Sequence, residues 1–233
     1  LALAGALITL VAHDRFWLLA GAFSGFLVVA PVLATSLYAL SRAIERGEPA
    51  DLQLVASTWL NWQRSHRHKW GNDYWCLVQF GALLGLSATG WVLTSAALIT
   101  LLSPAPVLQP LDFLRHVVLA RDNWLFELWL ALGGIMAAPI FASSVVAIPL
   151  LLDRRVGLRV AVLTSWRCVI ANPGALGLWA ALILLMVGLG LGSLLLGLIL
   201  VMPLLGHASW HAYRELVDAS GLPERRPETD GDR

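Results

Sequence analysis

Two histidines one helical turn apart, His207 and His211 in GHASWHAYREL, are the residues of this 233-residue chain best spaced for chemistry. At i and i+4 their rings leave the same helix face, as two ligands of one metal or haem would. The competing reading is structural, with the ring nitrogens bonding neighbouring helices or resting at an interface beside Trp210 and Tyr213. No third ligand stands at a useful spacing. A second concentration, Arg64, His66, Arg67, His68 and Lys69, lies between Trp62 and Trp70. Lacking a nearby Cys or carboxylate at ligand spacing, it suits anionic headgroups better than a metal. Enzymatic signatures are missing. Ser24 in AFSGF and Ser143-Ser144 in FASSV do not form a nucleophile elbow, HExxH does not occur, and no paired carboxylates fall in apolar stretches. The expectation is a non-enzyme without a cofactor.

The elements that would hold these residues follow from composition. Hydrophobic residues make up 58% of the chain and charged residues 13%, about half the charge of a soluble domain. A soluble fold and a disordered chain are both excluded, and a net charge of +1 gives no footing for nucleic acid. What remains is an all-α, polytopic membrane bundle. A span needs roughly 20 apolar residues, and the charges delimit spans at 16–41, 75–102 and 124–152. The third contains Pro139, near mid-membrane, and Pro149, near the exit, and is expected as a single kinked span. From Cys168 to Tyr213 no Asp, Glu, Lys or Arg occurs. As one helix that run would reach about 69 Å, so it must fold back. Glycines 188, 190 and 192 with Ser193 mark the turn between spans at 174–189 and 193–214; the first of these is short, which local bilayer thinning or a turn a few residues later would accommodate. Residues 1–12 read as the remainder of a first span whose beginning is missing, which brings the count to six. Small residues at 21, 24 and 25 and at 81, 85 and 88 are expected to be packing surfaces.

The 16 Lys+Arg are unevenly distributed: thirteen fall in 41–75, 153–173 and after Tyr213, and three in the alternate connections. Cytoplasmic loops retain basic residues, so the rich set and both termini face the cytoplasm. Cys76 and Cys168 are expected as free thiols on that side, and 218–233 as a disordered tail closing a membrane domain of 1–217. The two long basic loops carry amphipathic helices over about 50–64 and 155–171. In the second, Leu158, Val162, Trp166 and Ile170 form an apolar stripe, and Arg155, Arg159 and Arg167 lie opposite. Both would lie in the headgroup layer with their arginines on lipid phosphates.

Self-comparison finds a repeat. GFLVVAPVLATSLYALSRAIE from Gly25 and GLILVMPLLGHASWHAYRELV from Gly197 match at one offset in Gly, Val29/Val201, Pro31/Pro203, Leu33/Leu205 and Arg42/Arg214. Tyr38 falls against Trp210. The span over 124–152 shares the pattern, with Pro139 in its middle and Asp153-Arg154-Arg155 in the place of Glu45-Arg46-Gly47. The amphipathic helices align as VASTW, ending at Trp59, and VLTSW, ending at Trp166. Three parallel units of interfacial helix plus hairpin account for this, with helix kinks at Pro31, Pro139 and Pro203.

The residues APVLATSLYALSRAIERGEP from Ala30, IPLLLDRRVG from Ile148 and PLLGHASWHAYREL from Pro203 resemble a family of bacterial integral membrane proteins filed as domain of unknown function 2189. The likeness extends nearly to Leu216. The stretch NWQRSHRHKWGNDYW from Asn61 departs from the family by its length and basicity, and the family's usual N-terminal polar segment is absent. The resemblance implies a bacterial inner-membrane protein and brings no activity.

Two functional classes follow: a non-catalytic scaffold or accessory subunit that contacts lipid or a membrane-protein partner, or a transporter or channel for an uncharged or lipid-like solute. Haem or metal binding at His207 and His211 is the weaker third. One expectation is testable at once. Histidines 66 and 68 gain charge below about pH 6.5, so a peptide of residues 51–74 should bind anionic liposomes more tightly at mildly acidic than at neutral pH. A binding isotherm that does not move with pH would refute this.

Overall fold

The computed structural model describes residues 34–64, 75–120, 124–193 and 196–225. Among the described residues the regular structure is helical: α1 (34–46), α2 (Leu52–Arg64), α3 (Trp75–Leu102), α4 (Pro110–Phe113, continued by a π turn over Leu114–Val118), α5 (Leu125–Ser144), α6 (Ala147–Asp153), α7 (Leu158–Ala171), α8 (Pro173–Gly192) and α9 (Leu198–Leu216). Three segments are long and apolar enough to cross a membrane: α3, the α5–α6 stretch from Leu125 to Asp153, and Pro173–Gly190 of α8. The bounds of α3 are those expected. The expected span at 1–12 and the 16–33 part of the next, with Pro31 and the small residues at 21–25, lie outside the described residues.

The third expected span, kinked as expected, runs from Leu125 to Asp153. It breaks at Val145–Val146 into α5 and α6. Pro149 has no N–H, and its ring opposes the carbonyl four residues back, which belongs to Val145. The Val146 N–H instead donates to Ser165 Oγ of α7 at 3.1 Å. Helical structure continues through Pro139 and Pro203, so the interruption belongs to Pro149, the proline expected merely to sit near the exit.

The fold-back between α8 and α9 takes the later of the two placements, after the glycines. Glycines 188, 190 and 192 remain helical, and the turn starts at Ser193. Its hydroxyl donates to Gly190 O at 2.9 Å and accepts from Gly197 N–H at 2.8 Å. The two glycines are needed for the close approach. A Cβ on Gly197 would stand 3.0 Å from Gly190 Cα, and one on Gly190 would stand 2.6 Å from Leu198 Cδ2. Moving the turn gives α8 20 residues, about 30 Å, which suffices for a bilayer.

The amphipathic helices start inside their expected bounds. Asp51 Oδ1 accepts the Leu54 N–H at 2.9 Å, so α2 begins after Asp51 with that residue as its cap. The other, α7, begins at Leu158, which leaves Arg155 in an extended link.

The main core gathers at one end of the bundle, around α6. Val146, Ala147 and Leu150 to Leu152 are at most 1% exposed and pack with Tyr38, Phe80, Ala161, Trp210 and Tyr213. A smaller core at the other end joins Ile99, Val117 and Leu125, flanked by Trp129, whose indole N–H donates to Ser95 Oγ at 2.6 Å. Large apolar side chains point outward along α3 and α8, among them Leu86, Leu93, Leu178 and Leu184. Such an exterior suits a hydrocarbon solvent, in which small residues rather than large ones mark helix contacts. Gly81 and Gly85 of α3 are buried, though a Cβ on Gly81 would meet nothing within 4 Å.

At the crossing of α1 and α9, a Cβ on Gly206 would come within 2.6 Å of Leu37 Cδ1 and 2.8 Å of Leu37 Cβ. Gly206→Val should therefore force these helices apart and cost about 1–3 kcal/mol, read as a lower Tm in detergent. An unchanged Tm would contradict the close crossing.

Candidate functional site

The residues with most polar chemistry meet where the ends of α1, α6 and α9 converge. Gly47, at φ +67°, stops α1; its N–H bonds Ile44 O and the Glu48 N–H bonds Ala43 O, the two bonds of a Schellman motif. The stop leaves Glu45 and Arg46 on the last turn. Glu45 then holds α9 with both oxygens: Oε2 accepts from Trp210 Nε1 at 2.9 Å and Oε1 from Arg214 Nε at 3.0 Å. One turn earlier, Ser41 Oγ lies 2.6 Å from His207 Nδ1. The Ser41 hydroxyl also lies within hydrogen-bonding distance of Leu37 O, at 2.9 Å. His211 is exposed. The structure thus commits His207 to an interhelical bond, and among the described residues no three His, Cys, Asp or Glu gather as metal ligands.

Asp153, 2% exposed, repeats the arrangement from α6. Its Oδ2 accepts from Arg154 Nε at 3.0 Å and from the Tyr213 hydroxyl at 2.9 Å, while Oδ1 faces Arg46 at 3.7 Å. Arg46 and Arg154 both reach Glu224, at 3.4 and 3.6 Å. Arg42 donates to the carbonyls of Leu152 and Arg225 at 3.3 and 3.2 Å. Burial alone would lower the Arg154 guanidinium, but the charge and hydrogen bond of Asp153, helped by Tyr213 and Glu224, hold it above its ordinary value.

The tail completes this knot, which corrects the expectation of disorder for residues 218–225; residues 226–233 lie outside the described residues. Arg155 N–H donates to Pro223 O and Arg225 N–H to Asp153 O, both at 2.9 Å, so the tail pairs antiparallel with the link after α6. Ala219 and Arg225 are buried. Composition alone misjudged the segment because its backbone also finds partners outside itself, at Asp153 and Arg155. The missed residues, Glu45, Asp153, Tyr213 and Glu224, had one signal available. The repeat sets Asp153-Arg154 against Glu45-Arg46, and both carboxylates turn out to grip α9.

Among the expected lipid contacts, Arg64 to Lys69 lie outside the described residues as side chains. Arg155, Arg159 and Arg167 are exposed. The faces of α7 differ from expectation, however. Its inward face is Ala161, Ser165 and Cys168, with Leu158 and Val162 half-buried beside them. Trp166 and Ile170 point outward with Val160 and Leu163, on the side that also carries Arg159 and Arg167. Small residues win the inward face because they allow close approach to α6 and bring Ser165 to the broken turn. Both cysteines are free thiols, and burial pushes that of Cys168 up.

A lateral groove of about 560 Å³ runs between α3 and α5, closed at one end by α7. Phe80, Ser87 and Gly90 line one wall, Ile135, Pro139 and Ser143 the other, and Val162 the end. Trp166 Nε1 donates to Ser143 Oγ at 3.0 Å, which pins α7 to that end.

The family model described as "Predicted integral membrane protein (DUF2189)" matches residues 18–153, which include both groove walls, α6 and its terminal carboxylate. No curated protein and no solved structure matches the chain.

Removing the carboxylate by Asp153→Ala leaves Arg154 buried without its nearest counter-charge and should cost about 3–5 kcal/mol. Tyr213→Phe removes one hydrogen bond to a charged group and should cost about 1.5–3 kcal/mol. Thermal unfolding in detergent reads both, and a Tm for Asp153→Ala at or above that of Tyr213→Phe would contradict the central place given to this carboxylate.

Proposed function

Since the chain belongs to this family of predicted integral membrane proteins, DUF2189, we propose that it is a non-catalytic scaffold or accessory subunit. In this reading its helices hold lipid, or a membrane-protein partner, at the cytoplasmic face of a bacterial inner membrane. Six spans, both termini inside, and α2 and α7 in the headgroup layer are parts of the same proposal, with the Arg-rich helix ends turned to the cytoplasm. Three parallel units fit it as well. Thr58 and Ser165 occupy the same place in VASTW and VLTSW, and both are buried. Glu45 and Asp153, equivalent under the repeat, bind the same helix.

The observation that carries the proposal is the closed knot. Alternating access needs helix ends that part and a polar lining for the cargo. Here the ends of α1, α6 and α9 are tied by Glu45, Asp153 and the tail, so their polar groups serve attachment. The groove at Pro139 is mostly apolar and opens sideways.

Reconstitution into liposomes separates this from the transporter reading. Swelling under a glycerol or urea gradient should match that of protein-free vesicles, while the protein purified in mild detergent should retain lipid or a defined membrane partner. Protein-dependent swelling would overturn the scaffold and favour a channel for uncharged solutes.

A further inference from the structure

We infer that the groove between α3 and α5 holds one acyl chain of an anionic phospholipid of the cytoplasmic leaflet, its phosphate at Arg159. The inference rests on the orientation proposed above and names the ligand of that face. Length is the first argument. The lining runs from Phe80 to Gly90 on α3 and from Ile135 to Ser143 on α5, about 15 and 12 Å along the helices. That is about half of a 30 Å hydrocarbon core, the depth of one leaflet. A partner helix would cross the whole thickness, whereas a chain entering from one headgroup layer stops at the midplane.

Chemistry at the closed end is the second argument. Phe80 is five residues from the start of α3 and Ser143 one from the end of α5, so this end lies toward the knot, where α7 crosses it. Val162 of α7 is part of the lining, and Trp166, one turn on, is bonded to Ser143. Arg159 precedes Val162 by three residues, so it stands one turn away at the outward edge of α7. It is exposed, and among the described residues no carboxylate pairs with it. An apolar slot one leaflet deep, ending at an indole and an unneutralised guanidinium, complements an acyl chain joined to a phosphate. A net negative headgroup is preferred, because a zwitterionic one brings its own cation to the same place.

The full chain in mild detergent, mixed with phosphatidylglycerol or phosphatidylcholine of identical acyl composition, can be read by native mass spectrometry. The wild type should retain one phosphatidylglycerol, several-fold more than phosphatidylcholine. Gly90→Leu fills the slot, and since a Cβ there meets nothing within 4 Å it displaces no protein atom at its base. It should lose both lipids severalfold. Arg159→Gln, at an exposed position, should keep the phosphatidylcholine level and lose the preference for phosphatidylglycerol. No preference in the wild type, the same preference in Arg159→Gln, or undiminished retention in a monodisperse Gly90→Leu protein would each overturn the site. So would a copurifying protein that Gly90→Leu releases while lipid retention stays unchanged. Liposome swelling with lipid retention intact would defeat the scaffold reading and leave the lipid site standing.

Discussion

Asp153 is a carboxylate at the end of a seven-residue helix whose other members are almost all buried leucine, isoleucine, alanine and proline. A charge in such a place is tolerable only with partners that match it in geometry. Arg154, the next residue, supplies one. Tyr213 comes from α9 and Arg46 from the end of α1, while the backbone carbonyl of Asp153 accepts the Arg225 N–H of the tail. The three carboxylate partners come from different stretches of chain, so satisfying one group ties α1 and α9 to the end of α6. Glu45 does the same between α1 and α9 with an indole and a guanidinium. The bundle is thus joined at one end by charge-assisted hydrogen bonds and elsewhere by large side chains seated on glycines, Leu37 on Gly206 and Trp91 on Gly133.

The break before α6 makes this possible. A continuous helix from Leu125 to Asp153 would carry its end outward along the α5 axis. Pro149 interrupts the hydrogen-bond ladder at Val145, and Ser165 of α7 takes up the Val146 N–H that the break leaves over. The short helix is then covered on all sides. The need for Ser165 at that point sets which side of α7 faces inward, and that in turn puts Arg159 and Arg167 on the outward side with Leu163, Trp166 and Ile170. One missing backbone donor, at a proline, therefore decides the outward chemistry of a helix at some distance along the chain.

Much of this organisation was readable in advance, and the parts that were not share a cause. The ends of α3 follow from where uncharged sequence starts and prolines begin, because transfer of charge into hydrocarbon is a local cost that each residue bears alone. The glycines at 188, 190 and 192 do not themselves make the turn, because flexibility does not by itself end a helix; Gly190 instead gives Gly197 and Leu198 room for close approach. The polar composition after Asp218 misled likewise, since a low content of apolar residues says nothing about backbone pairing with another segment. His207 drew attention as a ligand, yet its partner is a serine on a helix 166 residues away in sequence. The repeat alignment was the most informative sign of the site, for it paired Glu45 with Asp153 before either had a partner.

By itself the sequence determined that this chain is helical and belongs in a membrane, that the stretches forming α3, α5–α6 and most of α8 are apolar enough to cross it, and where the basic residues gather. These are sums of single-residue transfer energies and need no knowledge of neighbours. Tertiary structure alone decided which proline breaks a helix, which face of α7 turns inward, and that the tail and three helix ends close around Asp153 and Glu45. Those outcomes depend on hydrogen-bond partners far apart in the chain, and a buried donor or carboxylate selects them only when the helices carrying them are brought together.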